Sequence, residues 1–242
     1  MKNGDVDKIL NKAAGQPYQV APAVLERVAD SIKASMRPVR PLPPNWLLTG
    51  AVVLVCAVVS LAGAARAGFL GFAKMDVPER VLIFLMLGIL ACIAGVKFVS
   101  EFIPGGKHRV SAGVLLGTVC AVLLGVFGLL FRDYRTEHFV SVGITCLVVG
   151  LLHAIPTGLV SWWVLRRGFA VNPVTAGLMA GMFAGLAGVT MLELHCPNFE
   201  AFHILVWHTA VVPVSAALGA LVGWMLRGRG SAGVKADAIP RP

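Results

Sequence analysis

The chain has 242 residues, 57% of them hydrophobic and only 14% charged, with a mean hydropathy of +0.80. Soluble domains carry about 25% charged residues, so the composition excludes an ordinary water-soluble globule. The net charge of +9 and pI of about 9.8 would suit nucleic acid, but the basic residues are sorted by loop, and direct nucleic-acid binding is not needed to explain them.

Residues 1–45 are predicted to form a tail. A short apolar pair, Ile9 and Leu10, is followed by Gly15-Gln16-Pro17, which breaks any first helix. Pro22–Met36 then reads as an amphipathic helix, because Val24, Leu25, Val28, Ile32 and Met36 recur at three- and four-residue spacing. Glu26, Arg27, Asp30 and Lys33 fill the other face. A helix that lies on a membrane is usually rich in Lys and Arg on its polar face. The mixed charge here favours a cytoplasmic protein partner over the lipid surface. Arg37-Pro38-Val39-Arg40-Pro41-Leu42-Pro43-Pro44 ends the helix in a stiff, extended spacer.

Crossing a hydrocarbon core of about 30 Å takes roughly 20 apolar residues. Six blocks qualify: Trp46–Ala64, Val81–Ser100, Val110–Phe131, Phe139–Leu165, Val171–Leu194 and Phe199–Leu226. The Ala-rich triplets at Ala62–Ala67 resemble a signal-cleavage site. The polar region before the first block is far longer than a signal-peptide leader, so that block is read as a retained span. With the N-terminus inside, the inner flanks carry eleven basic residues (Lys33, Arg37, Arg40, Lys97, Lys107, Arg109, Arg166, Arg167, Arg227, Arg229, Lys235) and the outer loops five (Arg66, Lys74, Arg80, Arg132, Arg135). The positive-inside rule then places both termini in the cytoplasm. The predicted fold is all-α: a cytoplasmic tail over 1–45, a six-helix integral membrane bundle over 46–226, and a disordered cytoplasmic tail over 227–242.

Small residues mark the fifth span, where Gly177, Gly181, Gly185 and Gly188 run down one side, and Gly219 and Gly223 give the sixth a matching strip. Such spacing lets helix backbones approach closely and would serve a homodimer as well as an internal pair. Asn172-Pro173 is expected to start helix five and Asn198 to cap helix six. Pro156 and Pro213 lie inside helices four and six.

The five cysteines contain no C-x-x-C and so suggest neither a thioredoxin-type centre nor a zinc ribbon. Cys56, Cys92 and Cys120 fall near mid-bilayer and read as small apolar packing residues. Cys196 sits in the last outer loop, and Cys146 lies about 10 Å into helix four from the same side. They can bond only if that loop dips into the bundle beside helix four; the residues alone leave a bonded pair and two unrelated thiols equally open. His195, Cys196, His203 and His208 are ligand types that suit zinc, copper or cadmium. On an α-helix, however, His203 and His208 point about 140° apart. The sequence therefore predicts no cofactor and no permanent metal, only transient heavy-metal capture at Cys196. His153 and His208 are ionisable groups inside spans and candidates for function on that ground. With no Asp in any span, a proton relay is not indicated. No hydrolase, kinase, phosphate-loop or metalloprotease signature appears, and no enzyme is expected.

Taken in order, several features resemble the membrane-embedded anti-sigma factors of the NrsF type (negative regulator of sigma F). They are the Arg37–Pro44 run before helix one, Cys146-Leu147 with Pro156 in helix four, and Leu165-Arg166-Arg167-Gly168. Pro173, the Ala-Gly repeats of helix five, and Leu194-His195-Cys196 leading to Trp207 complete the set. The family's paired cysteines match Cys146 and Cys196. The resemblance implies a tail that holds an extracytoplasmic-function sigma factor through Val24, Leu25, Val28, Ile32 and Met36. It also implies a bacterial inner-membrane bundle that senses envelope, redox or heavy-metal stress, and a sigma factor released to switch on its genes. Pro197-Asn198 after Cys196, and His208 after Trp207, depart from the family pattern and leave the signal open. The alternative reading is a small six-helix transporter or permease component with a polar cavity near His153 and His208.

Overall fold

A computed structural model of the chain describes residues 8, 12, 21–35, 43–101, 110–136, 139–167 and 172–230. The chain divides into two compact units, Met1–Leu42 and Pro43–Pro242. In the first, helix α1 spans Pro22–Ser35. Its apolar stripe of Val24, Leu25, Val28 and Ile32 is 44% to 57% exposed. Met36, the last residue of the predicted stripe, lies outside the described residues, as does the proline run up to Leu42.

The second unit is helical throughout its described length, apart from short connections. Helices α2 (Asn45–Ala67), α3 (Leu70–Lys74), α4 (Val77–Ser100), α5 (Ala112–Leu130), α6 (Phe139–Arg167) and α7 (Pro173–His195) are followed by α8 (Ala201–His203). A π turn, Ile204–His208, then leads into α9 (Thr209–Gly230). Six of the resulting helical segments are long and apolar enough to cross a membrane, the sixth running through α8, the π turn and α9.

Capping chemistry sets the helix starts, which is why they differ from the hydropathy edges. Asp76 and Glu79 form a capping box, with Pro just inside the first turn. The second span therefore begins at Val77, ahead of the apolar block that starts at Val81. Ser111 accepts from the Val114 N–H at 3.2 Å and starts α5. Asn172 accepts from the N–H groups of Val174 and Thr175, with Pro173 following, as the sequence leads one to expect. Asn198 does not cap helix six: its side chain accepts from the Glu200 N–H, and Glu200 holds the cap position without a side-chain bond. The last helix runs on to Gly230, into the stretch expected to be a tail.

α7 is the axis of the bundle. Of its apolar window 78% is buried, against 17% to 44% for the other five spans. A Cβ added at Gly177 would collide with the carbonyl of Gly219, one at Gly181 with that of Ser215, and one at Gly188 with that of Gly150. The glycine strip thus serves an internal contact, α7 against α9 and α6. Elsewhere Phe98 stacks on Phe183 at 6.3 Å. The buried Ser60 hydroxyl reaches the carbonyls of Cys56 on its own helix and Ala187 on α7, both at 2.9 Å. Cys56 is buried and Cys120 half-buried, whereas Cys92 is exposed on the outside of the bundle and packs nothing inside it.

Gly181→Leu is expected to destabilise the bundle by about 1–3 kcal/mol, the usual cost of overpacking, because the obstructing atoms are backbone and cannot rotate away. Gly113 has open space where its Cβ would be, so Gly113→Ala should be neutral. Thermal melting in detergent by circular dichroism compares the two, and equal melting temperatures would refute the packing account.

Candidate functional site

Three connections meet at one end of the bundle and draw the segment after α7 inward. Gly68, at φ 97°, ends the first span by donating to Ala64 O. α3 then lies against the end of α7 so closely that a Cβ at Gly71 would sit 2.6 Å from the Cys196 carbonyl oxygen. Lys74 donates to Pro197 O at 3.0 Å, and the His195 ring nitrogen Nδ1 lies 3.0 Å from Gly68 O. From the other side, the Ala201 N–H donates to Asp133 O at 2.6 Å, and Phe131 packs on Phe199 at 5.4 Å. Arg135 forks onto the Asp133 carboxylate and holds it below the usual carboxylate range. These contacts leave Cys196 only 5% exposed.

The sixth span begins with a change of register. The Thr209 N–H donates to Ile204 O, five residues back. In that register residues five apart share a face, and the angular separation expected for His203 and His208 on an α-helix is lost. Their rings meet edge to face, with centroids 5.1 Å apart. This corrects the expectation that the two cannot address one point. Trp207, within the π turn, lies where a Cβ at Gly143 would be, and it packs on Phe139 at 5.5 Å. α6 and the sixth span are thereby locked together one helical turn from Cys146.

The result is a cluster of Cys146, Cys196, His203 and His208 whose ligand-type atoms all lie within 4.8 Å of one another. The two sulfurs are 3.6 Å apart, and Cys196 Sγ is 3.6 Å from His203 Nε2. His208 Nδ1 is 2.7 Å from Glu193 Oε1, and both side chains are 1% exposed. A carboxylate only accepts, so Nδ1 carries the proton shared with Glu193. The His208 Nε2 is buried and has no hydrogen-bond partner among the described residues. The Cys196 thiol is raised above its ordinary range by the Cys146 hydrogen bond and by burial.

The other sequence candidates lie elsewhere. His195, one of the four ligand types, has its Nδ1 on Gly68 O and stands outside the cluster. His153 Nδ1 is 2.8 Å from Val149 O within its own helix, and its ring fills the space left by Gly63. Glu193 is the member the sequence reading missed as a partner. It stands at a helix end 15 residues from His208, and no local spacing marks the pair.

Chelator-treated protein exposed to diamide, which takes up two electrons and two protons, should lose two of its five thiols to an internal disulfide. Cys146→Ser and Cys196→Ser should each abolish that loss, while Cys92→Ser should not. Thiol titration under denaturing conditions decides, and two thiols still lost from Cys146→Ser would contradict the geometry.

Residues 33–227 match the family described as NrsF, negative regulator of sigma F. The anti-sigma-F factor NrsF of Caulobacter vibrioides (strain NA1000 / CB15N) is 28% identical over 133 residues, 51% of this chain and 61% of that protein. The aligned part thus spans less than two thirds of that relative's length. No solved structure matches the chain. The family match runs from the end of α1 through the sixth span and takes in the whole Cys/His cluster: the chain belongs to the NrsF family of negative regulators of sigma F.

Proposed function

We propose that the protein is a membrane anti-sigma factor: α1 holds an extracytoplasmic-function sigma factor at the inner membrane of a bacterium, and the bundle releases it on envelope, redox or heavy-metal stress. The observation that carries the reading is the family match over residues 33–227. It is supported by the exposed stripe of Val24, Leu25, Val28 and Ile32, which suits a helix laid into an apolar groove of a partner. The excess of basic residues on one set of loops supports cytoplasmic termini.

Cys146 and Cys196 are the proposed sensing thiols. With hydrogen peroxide as two-electron oxidant, the thiols yield one disulfide and two waters. A bond between the sulfurs, or a heavy-metal ion captured by both, pulls α6 toward the end of α7 and strains the grip on the sigma factor. A tenfold release needs only about 1.4 kcal/mol of coupling. A transporter would need a polar path. The groove between α6, α7 and α9, of about 1070 Å³, is lined by apolar side chains and Ser215, and neither His153 nor His208 is on its wall.

Full-length protein in detergent should bind the host's sigma factor, and Val28→Asp with Ile32→Asp should weaken binding by more than about 30-fold, the loss of one hot spot or more. Undiminished binding would rule out the stripe as the contact. In cells, Cys146→Ser or Cys196→Ser should leave the sigma factor held but make a sigma-dependent reporter uninducible by peroxide or heavy metal. Normal induction in both variants would end the sensing role.

A further inference from the structure

We infer that Cys146, Cys196, His203 and His208 form a tetrahedral site for a closed-shell divalent ion of the zinc class, with Glu193 as the outer carboxylate that orients His208. For its consequence in signalling the inference rests on the anti-sigma reading, but the ion's binding stands on the cluster alone. Bond lengths of about 2.3 Å to sulfur and about 2.0 Å to nitrogen place the two sulfurs of a tetrahedral zinc site about 3.8 Å apart, and a sulfur and a nitrogen about 3.5 Å apart. Two of the cluster's edges, Cys146 Sγ to Cys196 Sγ and Cys196 Sγ to His203 Nε2, are both 3.6 Å. No pair of the four exceeds 4.8 Å.

The second observation is the state of His208. Its Nδ1–H is committed to Glu193 at 2.7 Å, leaving a buried, unpartnered Nε2. A carboxylate–imidazole–metal relay has this form: the outer acceptor fixes the tautomer and makes the ligating nitrogen more basic. It also accounts for the buried glutamate, whose carboxylate is paired with His208. The donor set selects the ion. Two thiolates and two imidazoles in a tetrahedron suit zinc, and the absence of an oxygen ligand from the set disfavours magnesium and calcium. Binding expels the two thiol protons to solvent, and the two thiolates then cancel the charge of the ion at a site where His203 and His208 are 0% and 1% exposed. The ion would tie α6, the segment after α7, and both ends of the π turn to one point.

Apoprotein prepared in detergent with a chelator should be titrated with cobalt(II). The expected result is an endpoint at one ion per chain, with the strong visible ligand-field bands of a tetrahedral site and sulfur-to-cobalt charge transfer scaled for two thiolates. Zinc should then bleach the spectrum. Cys146→Ser should lose half the charge-transfer intensity. His208→Ala should lose the tetrahedral bands, and Glu193→Gln should keep them with about 10- to 100-fold weaker affinity. A weak octahedral spectrum of the wild type, or no endpoint at one equivalent, would overturn the site whatever the variants do. Unchanged spectra in Cys146→Ser and His208→Ala would overturn the ligand assignment. Sigma-factor binding, measured on the metal-free preparation, separates the two readings: a metal-free protein that binds no sigma factor would defeat the anti-sigma function and leave the metal site standing.

Discussion

Apolar side chains gain little by leaving lipid for another apolar helix, so a membrane bundle must find its cohesion in close packing and a few internal hydrogen bonds. Here that cohesion depends on the surface of α7. Gly177, Gly181, Gly185 and Gly188 let the backbones of α9 and α6 approach until a single Cβ would strike a carbonyl oxygen or an α-carbon. Contact at that range multiplies weak dispersion terms over many atom pairs. It also fixes the register of three spans against each other, because a glycine notch admits its partner at one height only. The remaining spans lean on the same axis, α2 through the Ser60 hydroxyl to Ala187 O and α4 through Phe98 on Phe183.

The backbone of an irregular, partly buried stretch such as 196–200 needs hydrogen-bond partners. Cys196 N–H returns to Leu192 O, Ala201 N–H reaches Asp133 O, and Pro197 O is met by Lys74. The same bonds that make the segment acceptable hold Cys196 against Cys146. The chemistry at this end of the bundle follows from how the chain solves a hydrogen-bonding problem, with α3 and the 131–136 connection serving as braces.

Length and hydropathy made the six spans legible in the sequence, since nothing else accounts for blocks of that size. Their edges were less so. Asp76, Glu79 and Arg80 are polar and look like loop, yet the capping box turns them into the first turn of a helix. α3 has five residues and leaves no periodic trace. Depth alone brought Cys146 and Cys196 to the same end, and the resemblance paired them. Placing them side by side required the braces, which are tertiary. His203 and His208 were misjudged for a definite reason: helical spacing was converted to angle at 3.6 residues per turn, and a π turn changes that conversion without a signature in composition. Glu193 escaped because its partner lies across two elements.

The groove between α6, α7 and α9 bears on how an event at the cluster reaches the other end of α6. Near the cluster α6 is wedged by Trp207 at Gly143 and by Val211 and Leu192 at Gly150, positions where a Cβ would not fit. Farther along, Gly158 and Trp162 border the open groove, with Ala184 only in ordinary contact near Gly158. A close-packed contact transmits displacement, and a lipid-facing gap accommodates it. Gly150 and Gly188 thus grip α6 near the cluster, while toward Arg167 the groove leaves one side of α6 open and Thr157 and Ser161 stay buried on the other. α7 and α9 are notched together along their length, through Gly177 with Gly219 and Pro173 with Gly223. The bundle thus combines a closely notched pair with one helix gripped mainly at a single height, and the proposed sensing thiols sit at that helix's gripped end.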